Sequence, residues 1–176
     1  MKKPVLFSLL ATFAVVASAD DMFDRVQPNE FHQMLLEASQ SYDKQDYKRA
    51  FELNQRAACA GDKTSQAILG RMYLLGQGVP KDDLTGYAWI KFAADFKYAE
   101  FTALAGKLDD ALTPQQLAKG KAKVEFLRRN YGPAVTNVSC HGESRRGVYL
   151  IDSVTCTPES SGGQLLLHRC VDMPAK

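Results

Sequence analysis

The run Tyr47–Ala58 (YKRAFELNQRAA) overlays the run Asp83–Ala94 (DLTGYAWIKFAA) at an offset of 36 residues. Ala57-Ala58 fall on Ala93-Ala94, Leu53 on Trp89 and Phe51 on Tyr87. Self-similarity with a period in the thirties is the mark of stacked helix–turn–helix units. Each unit carries apolar stripes at helical spacing that a lone pair of helices cannot bury, so neighbours of the same kind must cover them.

The fullest unit runs from Leu69 to Ala94. Leu69, Met72 and Tyr73 lie at helical spacing, and Gly76, Gly78 and Pro80 then break the helix. Asp82 or Asp83 is placed to cap a second helix, along which Tyr87, Ile90, Ala93 and Ala94 form a stripe with Trp89 beside it. Small residues (Gly70 and the alanine pairs) allow close helix approach, and Tyr73 and Trp89 fill the space between helices.

With Ala57, Ala58, Gly61, Leu69, Gly70, Tyr73, Gly76, Gly78, Val79, Asp82, Trp89, Ala93 and Ala94 in register, the chain resembles the Sel-one-like repeat family, a relative of the tetratricopeptide repeat. The resemblance implies a mainly α, helical-repeat solenoid that binds protein and performs no chemistry, with those residues serving architecture. Gly86 and Ser65 stand where the family usually has Ala, Lys97 where it has a turn Gly, and Phe101 where a small residue is usual. The array is thus expected to degrade after one good unit. Thr113-Pro114-Gln115-Gln116 resembles the start of the helix that caps bacterial members of the family. Thr113 is the expected N-cap and Pro114 the first helical residue, with the helix reaching about Tyr131.

The ends differ from the middle. Lys2 and Lys3, the apolar run Val5–Val16 and Ala17-Ser18-Ala19 read as a signal peptide over residues 1–19, with no cysteine near the cleavage site to take a lipid. Export to a periplasm is expected, with secretion as the alternative. Cleavage removes two lysines and no acidic residue, so the 22 basic and 20 acidic residues become 20 of each. A formally neutral mature chain offers no concentrated basic face, which argues against a nucleic-acid partner. Nor does the mature chain carry an apolar run long enough for stable membrane insertion. Residues 20–28 are expected to be flexible. Asn29 is the expected cap of a helix from Glu30 to about Tyr42, and the solenoid with its capping helix is expected over 29–132. From 133 to 176 the composition changes: Val135–Cys140, Gly147–Cys156 and Gln164–Val171 read as three strands of a small β-meander.

Cys59, Cys140, Cys156 and Cys170 are even in number, which in an oxidising compartment favours disulfides. Four cysteines allow three pairings. An antiparallel meander would put Cys140 and Cys170 at one edge, making them the first choice, with Cys156 reaching Cys59. The sharper alternative is a zinc site from Cys140, His141, Cys156, His168 and Cys170. Against it, Cys140 and His141 are adjacent and point to opposite strand faces, and no C-x-x-C is present. No metal or cofactor is therefore expected. His141, Glu143 and Ser144 have catalytic side chains but share one turn, and His32 reads as a surface residue. Gly76-x-Gly78 follows a helix and lacks the third glycine of a nucleotide loop. Lys119, Lys121, Lys123, Arg128 and Arg129 spread around their helix as a solvated face, and Arg145-Arg146 sit at a turn.

The expected function is a non-enzymatic, periplasmic protein–protein interaction module, an adaptor or regulator, in monomer or weak-dimer form. Its protein or peptide partner would sit on the first helix of each pair, where Gln66, Arg71 and Glu100 are the contact candidates. Two alternatives stand beside it. In one, the Cys-rich tail is itself the functional part, binding metal or an envelope partner; in the other, the chain is a cell-envelope hydrolase.

Overall fold

A computed structural model describes residues 22–142 and 154–173. Six helices of three or more turns follow one another: α1 (Pro28–Asp43), α2 (Tyr47–Cys59), α3 (Lys63–Leu75), α4 (Asp83–Ala94), α5 (Ala99–Ala111) and α6 (Pro114–Tyr131). A single-turn α7 (Pro133–Thr136) leads to the C-terminal strands. Sequential neighbours pack in turn, α1 on α2, α2 on α3 and α3 on α4, and α4 packs against both α5 and α6. This is the helical-repeat solenoid that the period of 36 residues predicts.

Side chains set the helix boundaries. Asp46, Asp62 and Asp82 each accept a hydrogen bond from a backbone amide of the first turn of α2, α3 and α4. Thr113 and Gln116 form a reciprocal capping box at α6 with Pro114 at the first position, as the sequence predicts. At α1 the expectation is corrected. The helix starts at Pro28 rather than after an Asn29 cap, because the proline ring presets the helical φ and Glu30 Oε2 takes the Gln27 amide at 2.9 Å.

The consensus residues build the packing. Ala57, Ala58, Leu69 and Ala93 are fully buried, and Trp89 is buried against Tyr131, the two rings stacked with centroids 5.6 Å apart. The α3–α4 crossing is a backbone contact. A Cβ on Gly70 would stand 2.6 Å from Ile90 Cγ1 and 2.8 Å from the Gly86 carbonyl, and one on Gly86 would stand 2.7 Å from the Gly70 carbonyl. Gly86, a departure from the family pattern, is thus the reciprocal half of Gly70. Gly78 adopts φ +72°, and a Cβ there would meet the Tyr47 carbonyl at 2.1 Å, which packs the glycine loop onto the start of α2.

The strands depart most from expectation. Two sheets form instead of one meander. β2 (Val138–Gly142) pairs antiparallel with β3 (Val154–Pro158). β5 (Gln164–His168) lies between the two-residue β4 (Ser160–Ser161) and β1 (Phe23–Val26). Phe23 faces His168 and Val26 faces Leu165, so residues expected to be flexible form a strand that joins the segment before α1 to the C-terminal strands. Leu165 and Leu167 of β5 pack on Phe31, Met34 and Ala38 of α1 and on Leu53 and Ala57 of α2. Val154 and Cys156 pack on Ala67, Ala93 and Phe101. The tail is part of the solenoid's core, not an appended unit. Val135 and Thr136 belong to α7, not to a strand. The proposed signal peptide, Glu143, Ser144, Arg145-Arg146 and the start of the strand at Gly147 lie outside the described residues.

The disulfides also correct the first choice. Cys140 bonds Cys156, and Cys59 bonds Cys170. The β2–β3 register places Cys140 directly opposite Cys156, with Cα atoms 4.1 Å apart. β5 runs back along α2, bringing Cys170 to the helix end at Cys59 with Cα atoms 5.2 Å apart. Once β5 pairs with β1 rather than β2, Cys140 and Cys170 no longer share an edge.

Candidate functional site

A cleft of about 740 Å³ opens on the face formed by the second helices of the pairs. Tyr73 from α3 and Asp82, Thr85 and Trp89 from the start and middle of α4 line one side. Lys123, Phe126 and Tyr131 from α6 line another, and Gln55 and Cys59 at the end of α2 close it. These positions are one or two helical turns apart on α4 and α6, which is why helices with different sequences present one continuous surface.

The segment after β5 crosses this cleft. The Cys59–Cys170 bond fixes its start. The Tyr131 hydroxyl then donates to the Val171 carbonyl at 3.0 Å and accepts from the Val171 amide at 2.7 Å. Both polar groups of one residue are thereby held by one side chain, and the Tyr131 ring is almost wholly buried. Burial pushes the Tyr131 phenol above its usual pKa, so it stays a neutral hydroxyl able to do both. Val171 and Met173 pack on the cluster that contains Trp89 and Tyr131. The Met173 sulfur lies 3.6 Å from Lys123 Nζ and 3.8 Å from Thr85 Oγ1. The Thr85 hydroxyl itself is spent on Asp82 Oδ2 at 2.7 Å. Burial works against the Asp82 charge, but hydrogen bonds from the Thr85 amide and hydroxyl, the nearby positive charge of Lys123 and a hydrogen bond from the Leu84 amide outweigh it and hold the carboxyl below its ordinary range.

Behind the cleft stands His168. Its ring meets Tyr131 edge-on at 5.5 Å and Phe23 edge-on at 5.3 Å. Nδ1 lies 2.7 Å from the Arg169 carbonyl, while Nε2 is buried with no hydrogen-bond partner among the described residues. Burial lowers the His168 pKa, so the ring is held neutral, with Nδ1 carrying the hydrogen. Trp89, Tyr131, His168 and Phe23 form a relay of ring contacts from helix to sheet.

Of the contact residues expected from sequence, Gln66 is corrected outright. It is fully buried, donates to the Ala58 carbonyl at 3.0 Å and accepts from Lys63 Nζ at 3.1 Å, so it holds α2 to α3 and touches no partner. Arg71 and Glu100 are exposed on α3 and α5 and do not line the cleft, to which the first helices contribute Tyr73 while α2, α4 and α6 supply most of the rest. Of the residues that do line it, Tyr73, Asp82 and Trp89 belong to the repeat consensus, whereas Thr85, Lys123, Phe126 and Tyr131 carry no repeat signal. Among these four, Tyr131 alone falls in the apolar phase along α6. His32 and His141 are exposed, and Ser139 Oγ is the polar neighbour of His141 at 3.2 Å. The zinc alternative loses its ligands, because all four cysteine sulfurs are bonded to one another. Among the described residues no group of three or more metal-binding side chains converges, and no helix is long and apolar enough to cross a membrane.

Residues 34–62 and 64–95 match the family model described as the Sel1 repeat. The two matches divide at the α2–α3 turn, so each holds one helix pair. No curated protein matches the chain. Among solved structures, the chain is similar to c5321, a protective antigen present in uropathogenic Escherichia coli strains and displaying an SLR fold. Identity is 22%, the match covers 58% of this chain and 23% of that one, and the TM-score is 0.47. This chain therefore spans about a quarter of that protein's length.

Proposed function

We propose, from the premise that this chain belongs to the Sel1 repeat family through its two helix pairs, that it is a periplasmic adaptor or regulator whose cleft on α2, α4 and α6 binds a protein partner. The repeat itself marks a protein-interaction module. The observation that supports this placement is the Tyr131 clasp on both backbone groups of Val171, by which this face holds a segment of the chain's own backbone as it would a partner's. Aromatic rings from Tyr73, Trp89 and Phe126 supply apolar contact, and Asp82 and Lys123 supply charge of each sign at the rim. Two disulfides support an oxidising compartment.

A photo-crosslinking residue placed at Phe126, compared with one at Thr102 on the exposed side of α5, tests the reading in cell-envelope extract. Capture of a discrete protein from Phe126 and not from Thr102 is the expected result. Equal capture from both sites, or none from Phe126, overturns the cleft as the interaction surface.

A further inference from the structure

We propose that the cleft is a seat for an extended segment carrying an apolar residue and, two positions on, a methionine-sized side chain, and that the chain's own Val171–Met173 holds that seat as a tethered competitor released by reduction of Cys59–Cys170. This rests on the cleft being the interaction surface. Four features of the seated segment carry it. Its backbone is bound as a peptide ligand would be, with the Val171 amide and carbonyl both satisfied by the Tyr131 hydroxyl. Its side chains alternate as an extended ligand's do: Val171 and Met173 pack on the Trp89–Tyr131 cluster, while Asp172 between them is exposed. It belongs to no helix or strand, and its anchors are the disulfide at Cys170 and, one residue earlier, Arg169, whose amide donates to the Met22 carbonyl at 2.9 Å and whose Nε meets Asp24 at 2.7 Å. Open volume of about 740 Å³ remains alongside it, room for a partner segment to enter and extend over the seat.

The tether sets the strength of the competition. A segment linked covalently at Cys170, one residue before Val171, is presented at a high effective concentration, and any partner must overcome it. Cys170 is exposed and Cys59 is buried, which decides the chemistry of release. A thiolate of a dithiol reductant attacks Cys170 Sγ, and Cys59 leaves as a thiolate and takes up a proton. The reductant's second thiolate then attacks the mixed disulfide and frees Cys170, which is protonated in turn. Two electrons and two protons reach the protein, and the reductant ends as its own disulfide. The segment then keeps its backbone link to β5 through Arg169 but loses its anchor to α2, and only the contacts of Val171–Met173 hold it on the seat.

The test uses the peptide SVDMPAK, residues 170–176 with serine for Cys170. Trp89, the single tryptophan of the chain, lines the seat and reports occupancy by its fluorescence. Binding is measured on the oxidised full chain, on Cys170→Ser, and on Met173→Ala with the disulfide retained. The expected result is saturable binding to Cys170→Ser at least tenfold tighter than to the oxidised chain, with Met173→Ala in between. Equal affinity for all three overturns the proposal, as does the absence of binding to Cys170→Ser at peptide concentrations up to about 1 mM. If Cys170→Ser melts early, Met173→Ala decides: no gain over the oxidised wild type overturns it. A partner that crosslinks at Phe126 equally in the oxidised chain and in Cys170→Ser leaves the interaction module standing and removes only the competitor. Loss of crosslinking in both removes both.

Discussion

Lys63 opens α3 with its ammonium inside the protein. Nζ lies 3.1 Å from Gln66 Oε1 and 4.5 Å from the centre of the Phe92 ring, and the side chain is only 7% exposed. Burial pushes its pKa down from 10.5 to about 8, against the pull of Asp95 and Asp62. Between those two values the unfolded chain binds the proton and the folded chain does not, so stability rises with pH across that window and the penalty is complete below about pH 8. Tyr87 acts in the opposite direction. Burial and its hydrogen bond to Asp109 raise it to about 12, so stability falls again once pH passes the ordinary tyrosine value near 10. Lys63→Met is expected to flatten the climb. It should add about 1–2 kcal/mol at pH 7, after loss of the Gln66 bond and the ring contact. Urea unfolding at pH 7, 8, 9 and 10, disulfides intact, checks it; an unchanged climb in the variant would show that another group is responsible. Nothing in the sequence announces this residue. A lysine at the first turn of a helix reads as solvated, and its cover arrives from β3, whose Cys156 Sγ sits 3.5 Å from the Lys63 amide.

At the scale of elements, two glycines on neighbouring helices should respond with opposite sign. Gly70→Ala drives a Cβ into Ile90 and the Gly86 carbonyl, and is expected to cost about 1–3 kcal/mol despite the better helix propensity of alanine. Gly106→Ala on α5 meets nothing within 4 Å and should gain about 0.5–1 kcal/mol from propensity alone. Thermal melts of the two variants side by side check the pair, and a stabilised Gly70→Ala would refute the close crossing. Gly70 was legible because the repeat consensus reports small residues where helices touch, and so were the helices and the Thr113 cap. The strands were legible as strands but not in their pairing. Phe23 and His168 are partners across nearly the whole chain, and short runs such as FDRV and QLLLH hold no alternation that would name a mate. The cleft was hidden for the same reason: it exists only where α2, α4, α6 and the last residues meet.

The molecule as a whole behaves as one unit, because β5 supplies core to α1 and α2, and β3 supplies it to α3 and α4. Leu167→Ala, at 4% exposure in the wild type, is expected to cost about 2–4 kcal/mol. It should also shift the far-UV helical transition and the Trp89 transition together. A variant that loosened the sheet while the helices melted at their old temperature would show two independent parts. The disulfides add a consequence of order in time. They are nested: the Cys140–Cys156 bond, spanning a sequence separation of 16, lies inside the loop closed by Cys59–Cys170, a separation of 111. A polypeptide threaded amino end first into an oxidising space presents Cys59 and then Cys140 before either true mate has emerged. Oxidation in order of arrival would join those two and trap the chain. Correct pairing requires the helices to sequester Cys59 until Cys170 arrives, or a disulfide isomerase to undo the first bond. On the proposed route of export, maturation would be a race between folding and oxidation, with the Cys59–Cys170 bond closing only after residue 170 has followed the rest through.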